Sequence, residues 1–246
     1  MRSVVRGAWL EFTEKFEGAV PCWYNDKRGL TTIAYGNLCN TPSDAAQLFM
    51  VHMDGRAASV SEKVAAWHRV HDDAQAATKG WRYAATLTDV RLPRSEMLHL
   101  AYARLDSNER VLRARLPDHW DDLPACAQMA LHSLAWACGA NAYYPRLFSD
   151  IVKGDFSLAA AEIHMNEWSP EGIHNDGLVP RNVANKILMA NAGYILAQAL
   201  DLDLLDWTHD LSVADAITQP EIAEATPDSD ETVIYSMQDR PPQAKG

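Results

Sequence analysis

Apolar residues recur at helical spacing along most of the chain, and a short segment with β character interrupts them near the N-terminus. The apolar positions that end at Phe16 predict a first helix over about 7–17. The segment at about 22–37 predicts a short antiparallel sheet with a hairpin turn at Asp26–Gly29. Gly29 supplies the positive φ that such a turn requires.

The segment after this sheet is predicted to be mostly helical. A turn begins at Thr41, so a helix is expected to resume near Asp44 and to continue, amphipathic, over about 44–70. Gly80 interrupts the pattern within 71–92, where a short strand or coil is expected.

The C-terminal half is predicted to be helical. Pro93 occupies the first turn of a long helix, about 94–115, whose apolar residues recur at helical spacing. These residues are Met97, Leu98, Ala101, Leu105 and Leu112. The next helix, about 122–138, is apolar on nearly every face and is therefore expected to form the centre of a core. The helices expected to surround it lie near 146–153, 156–168 and 180–205.

Composition predicts a globular protein without a membrane span. Of the 246 residues, 48% are hydrophobic and 22% are charged, and no run of about 18 uninterrupted apolar residues occurs. The N-terminus lacks the apolar stretch and cleavage site of a secretory signal, so synthesis in the cytoplasm is expected. Four cysteines indicate buried free thiols rather than a disulfide scaffold, although Cys22 and Cys39 flank the hairpin and could pair across its strands.

The net charge of −11 is concentrated toward the C-terminus. Residues 209–246 contain eight acidic and two basic residues, a charge of −6, and this composition predicts an acidic flexible tail. The acidic balance argues against nucleic-acid binding and is compatible with a basic protein partner.

Two carboxylates and a threonine are expected to converge where the first helix meets the hairpin. Glu17 ends the helix, whereas Asp26 and Thr32 lie on the hairpin. Cleavage of a glycosidic bond needs one carboxyl group to protonate the leaving oxygen and a second to stabilise the developing cation or direct a water. The three residues are therefore candidates for catalysis. Their structural alternatives are a helix-end carboxylate, a turn cap and a β-forming threonine.

This segment resembles the phage-type lysozymes, the endolysin muramidases of glycoside hydrolase family 24. Their signature is a Glu, eight residues, an Asp, five residues and a Thr, followed by an Ile-x-x-Gly run. The matching residues are Glu17, Asp26, Thr32 and Gly36, without a gap. Tyr24 and Gly29 also stand where the family has a Tyr and a Gly.

Looser similarity continues downstream, where Gly177–Arg181 resembles the opening of the last family helix. The resemblance covers roughly 7–40 and 94–196 and implies an α+β, mainly α, two-lobed lysozyme-like fold with a small N-terminal hairpin sheet. The expected domains are an N-terminal catalytic lobe (1–93) that includes a helical insertion (41–93), an inter-lobe helix (94–115), a helical C-terminal lobe (116–208) and the tail (209–246).

The resemblance implies hydrolysis of the β-1,4 bond between N-acetylmuramic acid and N-acetylglucosamine in peptidoglycan. Glu17 would donate the proton, and Asp26 and Thr32 would position a water on the opposite face of the sugar, giving inversion. The implied substrate contacts are Tyr35, Leu38, Trp136 and Arg181. Trp136 has a core position as its alternative, and Arg181 is also a candidate to brace Glu17.

No metal or organic cofactor is implied by this chemistry. His68, His71 and Asp72 have a spacing that can hold a metal, but no further strong ligand is identifiable, so a solvated surface is favoured. The expected partner is the peptidoglycan glycan strand, and a monomer is expected.

The chain departs from the family pattern at Ala34, Asn37 and Ala137. These changes affect substrate contacts rather than the proposed acid, and they leave two alternatives. One is a peptidoglycan-binding module without turnover. The other is an effector or structural component of a phage or secretion machine, in which 41–93 and the tail bind an immunity or delivery protein.

Two biological settings fit the sequence: a bacteriolytic phage endolysin and an interbacterial antibacterial effector. In both, the protein would act on the periplasmic cell wall, after holin-type release or after delivery by a secretion system. The acidic balance and the additional segment 41–93 favour the effector.

Overall fold

A computed structural model describes residues 1–168, 172 and 174–213. The fold is α+β and mainly α, as predicted. The helices are α1 (Ser3–Glu17), α2 (Pro42–Gln47), α3 (Val60–His71), α4 (Ala76–Lys79), α5 (Trp81–Ala84), α6 (Arg94–Arg115), α7 (Ala125–Cys138), α8 (Pro145–Val152), α9 (Phe156–Glu162) and α10 (Val179–Ala197). The strands are β1 (Val20–Asn25), β2 (Thr31–Ala34), β3 (Asn37–Leu38), β4 (Val51–His52) and β5 (Val90–Arg91).

The predicted hairpin is confirmed as part of a three-stranded antiparallel sheet in the order β1-β2-β3. At its first turn, Gly29 N donates to Asp26 O over 2.9 Å, and the φ of Gly29 is +77°. The register places Thr32 opposite Tyr24 on one side and opposite Leu38 on the other. Side chains at paired positions point to the same face, so Tyr24, Thr32 and Leu38 lie side by side.

The prediction of one helix over 44–70 is wrong, because strand β4 and a chain reversal after it interrupt the helix. Strand β4 pairs with β5, and the chain reverses at Gly55, whose φ is +85°. A new helix then begins at Ser59, whose side chain accepts a hydrogen bond from Glu62 N while the Glu62 carboxylate accepts one from Ser59 N. This reciprocal cap satisfies helix-end donors and starts α3 independently of α2.

Helix α7 forms the centre of the helical lobe, as predicted, and every residue from Ala125 to Trp136 is buried. It contacts α10, α6 and α1, while α9 contacts α8 and α10. Helix α6 has the predicted bounds and contacts both β2 and α7, so it connects the sheet with the helical lobe. Helix α1 contacts α7 as well, although the sequence assigns it to the first lobe.

Helices α9 and α10 end earlier than predicted, at Glu162 and Ala197. After α10 the chain turns back, and Leu202 O accepts a hydrogen bond from Ala125 N over 2.7 Å. Of the leucines at 200–205 that suggested a longer helix, Leu202 and Leu205 pack against the core, whereas Leu200 and Leu204 are exposed.

The start of the predicted tail contacts α10. Asn191 is fully buried, and its Nδ2 donates to Asp206 O over 3.0 Å and to His209 O over 2.8 Å. Its Oδ1 accepts from Leu211 N over 2.9 Å. Of the segment predicted to be a flexible tail, His209 and Leu211 thus bond to Asn191, and 214–246 lies outside the described residues.

All four cysteines are free, as expected, but only Cys22, Cys39 and Cys126 are buried, whereas Cys138 is exposed. Cys39 is buried and accepts a hydrogen bond from Trp23 Nε1 over 3.2 Å, so the open alternative of a bond to Cys22 is not realised. Over the described residues, no helix is both long and apolar enough to cross a membrane.

His132 makes stability depend on pH. It is fully buried in α7 between the rings of Trp9 and Trp120, and burial lowers its pKa to about 4. In the unfolded chain a histidine titrates near pH 6.5, so the unfolded state binds more protons between about pH 6.5 and 4. We expect the free energy of unfolding to fall by roughly 3 kcal/mol across that interval as pH decreases. His132→Leu should remove this contribution in urea titrations at several pH values.

The matched control is His164→Leu, which replaces an exposed histidine. It should leave the slope of stability against pH unchanged. If His132→Leu retains the wild-type slope, another group causes the acid sensitivity.

Candidate active site

Glu17 is the last residue of α1, and the sequence ends the helix there. Gly18 follows with a φ of +70°, and its N–H donates to Glu14 O over 3.2 Å. Glycine adopts this backbone conformation without strain, so the chain turns directly into β1. The Glu17 side chain remains 22% exposed at the tip of the helix, where it faces the sheet and the helical lobe.

Arg181 contacts Glu17 from the helical lobe, 164 residues later in the chain. Its Nη2 donates to Glu17 Oε1 over 2.5 Å, and its guanidinium carbon lies 5.0 Å from the centroid of the Phe16 ring. Only 5% of the Arg181 side chain is exposed. The predicted contact with Glu17 is therefore present, and little of Arg181 is left open for a substrate.

Gly36 borders the second oxygen of the same carboxylate. It closes the turn between β2 and β3 with a φ of +75°. A Cβ placed on Gly36 would lie 2.8 Å from Glu17 Oε2, closer than van der Waals contact allows. Glycine at this position thus serves two needs, the turn conformation and space for the carboxylate.

Asp26 caps the hairpin turn, which was the structural alternative to its catalytic role. Its Oδ1 accepts from Arg28 N over 2.9 Å and from Leu30 N over 2.8 Å, which holds the turn of the first hairpin. The side chain is half-buried. A turn role and a catalytic role are compatible, because these hydrogen bonds use one oxygen and fix the direction of the other.

Tyr24 is affected by all three residues of the signature. Its pKa is raised, chiefly by burial, and the negative charges of Glu17 and Asp26 raise it further. A hydrogen bond from the Thr32 side chain acts in the opposite direction. Thr32 itself is buried, and its Oγ1 donates to Tyr24 O over 3.4 Å. Glu17, Asp26 and Thr32 therefore all lie in the neighbourhood of one tyrosine.

Tyr35 and Trp136 do not present rings to a sugar, contrary to prediction. Tyr35 is fully buried and its hydroxyl donates to Glu14 Oε1 over 2.9 Å; burial, with help from this bond, raises its pKa to about 12. Trp136 is 2% exposed and its Nε1 donates to Tyr35 O over 3.0 Å. Both rings belong to the core beneath the site, because the turn between β2 and β3 meets α7 there.

Leu38, in contrast, is 63% exposed. It lines an open cavity of about 650 Å³ between the sheet, α2 and α6. Its other lining residues include Gly36, Asn37, Asp44, Glu96, His99 and Arg104. Glu17 itself is not part of this lining, but Gly36 is common to the cavity and to the contact with Glu17 Oε2. The cavity thus begins beside the candidate acid.

No metal centre accompanies these residues. Among the described residues, no group of three or more His, Cys, Asp and Glu side chains is arranged to hold a metal ion. His68 pairs with Asp72, whereas His71 stacks on Trp67 and its Nδ1 lies 2.8 Å from Thr31 Oγ1. The two imidazoles therefore have separate partners, in agreement with the predicted solvated surface for His68.

Sequence reasoning missed Arg104. This residue lies near Glu17 and Arg181, and it donates to Gly36 O over 2.9 Å. A signal was present, because Arg104 follows Ala101 by three residues and so falls on the buried face of α6. An arginine on the apolar face of a helix requires a buried hydrogen-bond partner. Its position in the sequence therefore makes Arg104 a candidate for a role in the site.

We expect Gly36→Ala to destabilise the protein more than Gly55→Ala. Both glycines have a positive φ, which costs roughly 1–2 kcal/mol for alanine, but an added Cβ has no neighbour within 4 Å at Gly55. At Gly36 it meets the Glu17 carboxylate, which adds a coupling of about 1 kcal/mol. Urea unfolding of both variants measures this difference.

The Glu17→Ala background provides the decisive control for this contact. In the Glu17→Ala protein, the additional loss of unfolding free energy caused by Gly36→Ala should disappear, because Glu17 Oε2 is absent. A cost that persists in the double variant would show that Gly36 is constrained by something other than Glu17.

Comparison with known proteins adds no relative. No family model, no curated protein and no solved structure matches the chain. A functional conclusion therefore depends on the geometry around Glu17 and on the spacing of the residues that form it.

Proposed function

We propose that this chain is a peptidoglycan hydrolase of the muramidase type, which cleaves the β-1,4 bond between N-acetylmuramic acid and N-acetylglucosamine. The observation that carries the proposal is the Glu17 carboxylate, which is partly exposed at a helix tip and held by Arg181. The same region contains Asp26 and Thr32 at the spacing of the muramidase signature.

Glu17 is the general acid of the proposed mechanism. The bond to be broken needs a proton on its leaving oxygen, and a carboxyl group fixed by packing can deliver one along a defined direction. Arg181 holds Oε1 and Gly36 borders Oε2, so the orientation of the carboxyl group is restricted from two sides.

Asp26 and Thr32 act on the other reactant, a water molecule. The two hydrogen bonds that Asp26 Oδ1 accepts from the turn fix the direction of Oδ2. A carboxylate in the hairpin turn and a hydroxyl on the strand that follows can together orient a water and accept its proton, which would invert the anomeric centre.

The cavity beside Gly36 supports a polymeric substrate. It is open, has a volume of about 650 Å³, and combines Leu38 with polar side chains such as Asn37 and His99. Such a surface suits a saccharide, whose rings offer both apolar faces and hydroxyl groups. A glycan strand that occupies it would lead directly to Glu17.

One alternative is a peptidoglycan-binding module without turnover. The engagement of Asp26 Oδ1 in the turn favours it, as do the departures at Asn37 and Ala137. Incubation with purified peptidoglycan separates the possibilities by fragment mass. A muramidase releases reducing fragments that carry one added water, a transglycosylase releases anhydro fragments that lack it, and a binding module releases none.

We propose that the enzyme acts on the bacterial cell wall, as an endolysin or as an antibacterial effector delivered into a competitor. An immunity or carrier protein that binds 41–93 or the acidic C-terminal segment would indicate the effector. The acidic composition of 209–246 suits a basic partner.

Glu17→Gln should abolish hydrolysis of peptidoglycan. The amide retains the shape of the side chain but carries no acidic proton, and loss of general acid catalysis lowers rates by about 10²- to 10⁴-fold. Reducing-end release from purified walls measures the effect. Glu11→Gln, an exposed change on the same helix, should retain the wild-type rate. Wild-type turnover by Glu17→Gln would contradict the assignment of the acid.

Asp26→Asn should also lower turnover, by at least about tenfold, while binding of glycan fragments is retained. The asparagine side chain still offers an oxygen to the turn, so the hairpin should keep its fold. Thermal unfolding of the variant checks this. If Asp26→Asn loses stability but keeps its turnover per folded molecule, Asp26 has only the turn role.

A further inference from the structure

Arg104 joins the sheet to the helical lobe beside the candidate acid. It lies in the middle of α6 and is partly buried. Its Nη1 donates to Gly36 O over 2.9 Å, and its Nη2 donates to Trp136 O over 2.5 Å. One planar guanidinium thus bridges the turn between β2 and β3 and the last turn of α7.

The turn that Arg104 contacts is held from two sides. The guanidinium carbon of Arg104 lies 4.2 Å from the centroid of the Trp136 ring, a cation–π distance. Trp136 Nε1 in turn donates to Tyr35 O over 3.0 Å. Tyr35 and Gly36 are consecutive, so Arg104 and Trp136 together bind both carbonyls of this turn.

This turn lies beside the Glu17 carboxylate: a Cβ placed on Gly36 would be 2.8 Å from Oε2, so a shift of the turn changes the space open to that oxygen. Arg104 is also close enough to this site for its charges to affect it. Burial lowers its pKa, the negative charge of Glu17 raises it, and the positive charge of Arg181 lowers it. Two arginines therefore serve this site: Arg181 bonds to Glu17, and Arg104 bonds to the Gly36 backbone beside it.

We propose that Arg104 is a positioning residue of this site, which fixes the Tyr35–Gly36 turn against Glu17 and so sets the direction of its carboxyl group. The proposal rests on the proposed function for its effect on turnover, but the restraint on the turn is a property of the folded protein alone. Its hydrogen bonds go to backbone carbonyls, so its role is orientation rather than substrate capture.

The test compares Arg104→Met, Arg104→Lys and, as the matched control, Arg110→Met, which replaces an exposed arginine on the same helix. Kinetics on soluble glycan fragments should show kcat lowered by about 10- to 100-fold in Arg104→Met with KM within about twofold, since misplacement by about 1 Å can cost a factor of 100. Arg104→Lys keeps the charge but not the planar fork, so it should restore part of kcat. Arg110→Met should behave as wild type.

A second measurement does not require turnover. Hydrogen exchange of the Trp136 indole N–H, assigned by its absence in Trp136→Phe, reports on the bond to Tyr35 O. It should exchange faster in Arg104→Met than in the wild type or Arg110→Met. The Trp136→Phe protein serves only for the assignment.

The outcomes separate this inference from the proposed function. A wild-type protein without hydrolytic activity refutes the function, and faster indole exchange in Arg104→Met would still support the restraint on the turn. Unchanged exchange overturns the inference, whatever the activity. A higher KM with unchanged kcat overturns it as well, because Arg104 would then bind substrate.

Discussion

The ion pair between Glu17 and Arg181 is the interaction on which the site depends. Its partners are 164 residues apart, one at the end of α1 and the other in the first turn of α10. Both helices pack on α7, which is apolar on almost every face and therefore fixes their relative position. Because 95% of the Arg181 side chain is covered, loss of Glu17 would leave a buried cation without its partner. The chemistry and the folding of the helical lobe are thus coupled.

The groups around Glu17 are mostly backbone atoms and arginine side chains. Arg181 bonds to one oxygen, Gly36 borders the other, and Arg104 holds the Gly36 carbonyl from behind. Such an arrangement holds the carboxyl group while leaving it partly exposed, as the proposed role of general acid requires. Tyr24, close to both carboxylates, joins this group to the hairpin.

The muramidase resemblance does not include the segment 41–93. This segment contacts the sheet and lines part of the cavity beside Gly36. Asn25, at the end of β1, donates to the carbonyls of Val70 and His71 at the end of α3, which attaches the segment to the sheet. Asp44, in α2, lines the cavity that begins at Gly36. The additional segment therefore forms one wall of the surface on which we propose that a glycan lies.

The sequence by itself determined the elements whose causes are local. The bounds of α6, the turn at Asp26–Gly29 and the buried character of α7 follow from a proline, a glycine and apolar spacing. Tertiary structure decided what depends on distant contacts. Only the contact between the β2–β3 turn and α7 shows that Tyr35 and Trp136 are buried, and only the folded chain shows that Arg181 bonds to Glu17. Residue spacing sets the direction of a side chain on its own helix or strand, whereas its neighbours come from the whole chain.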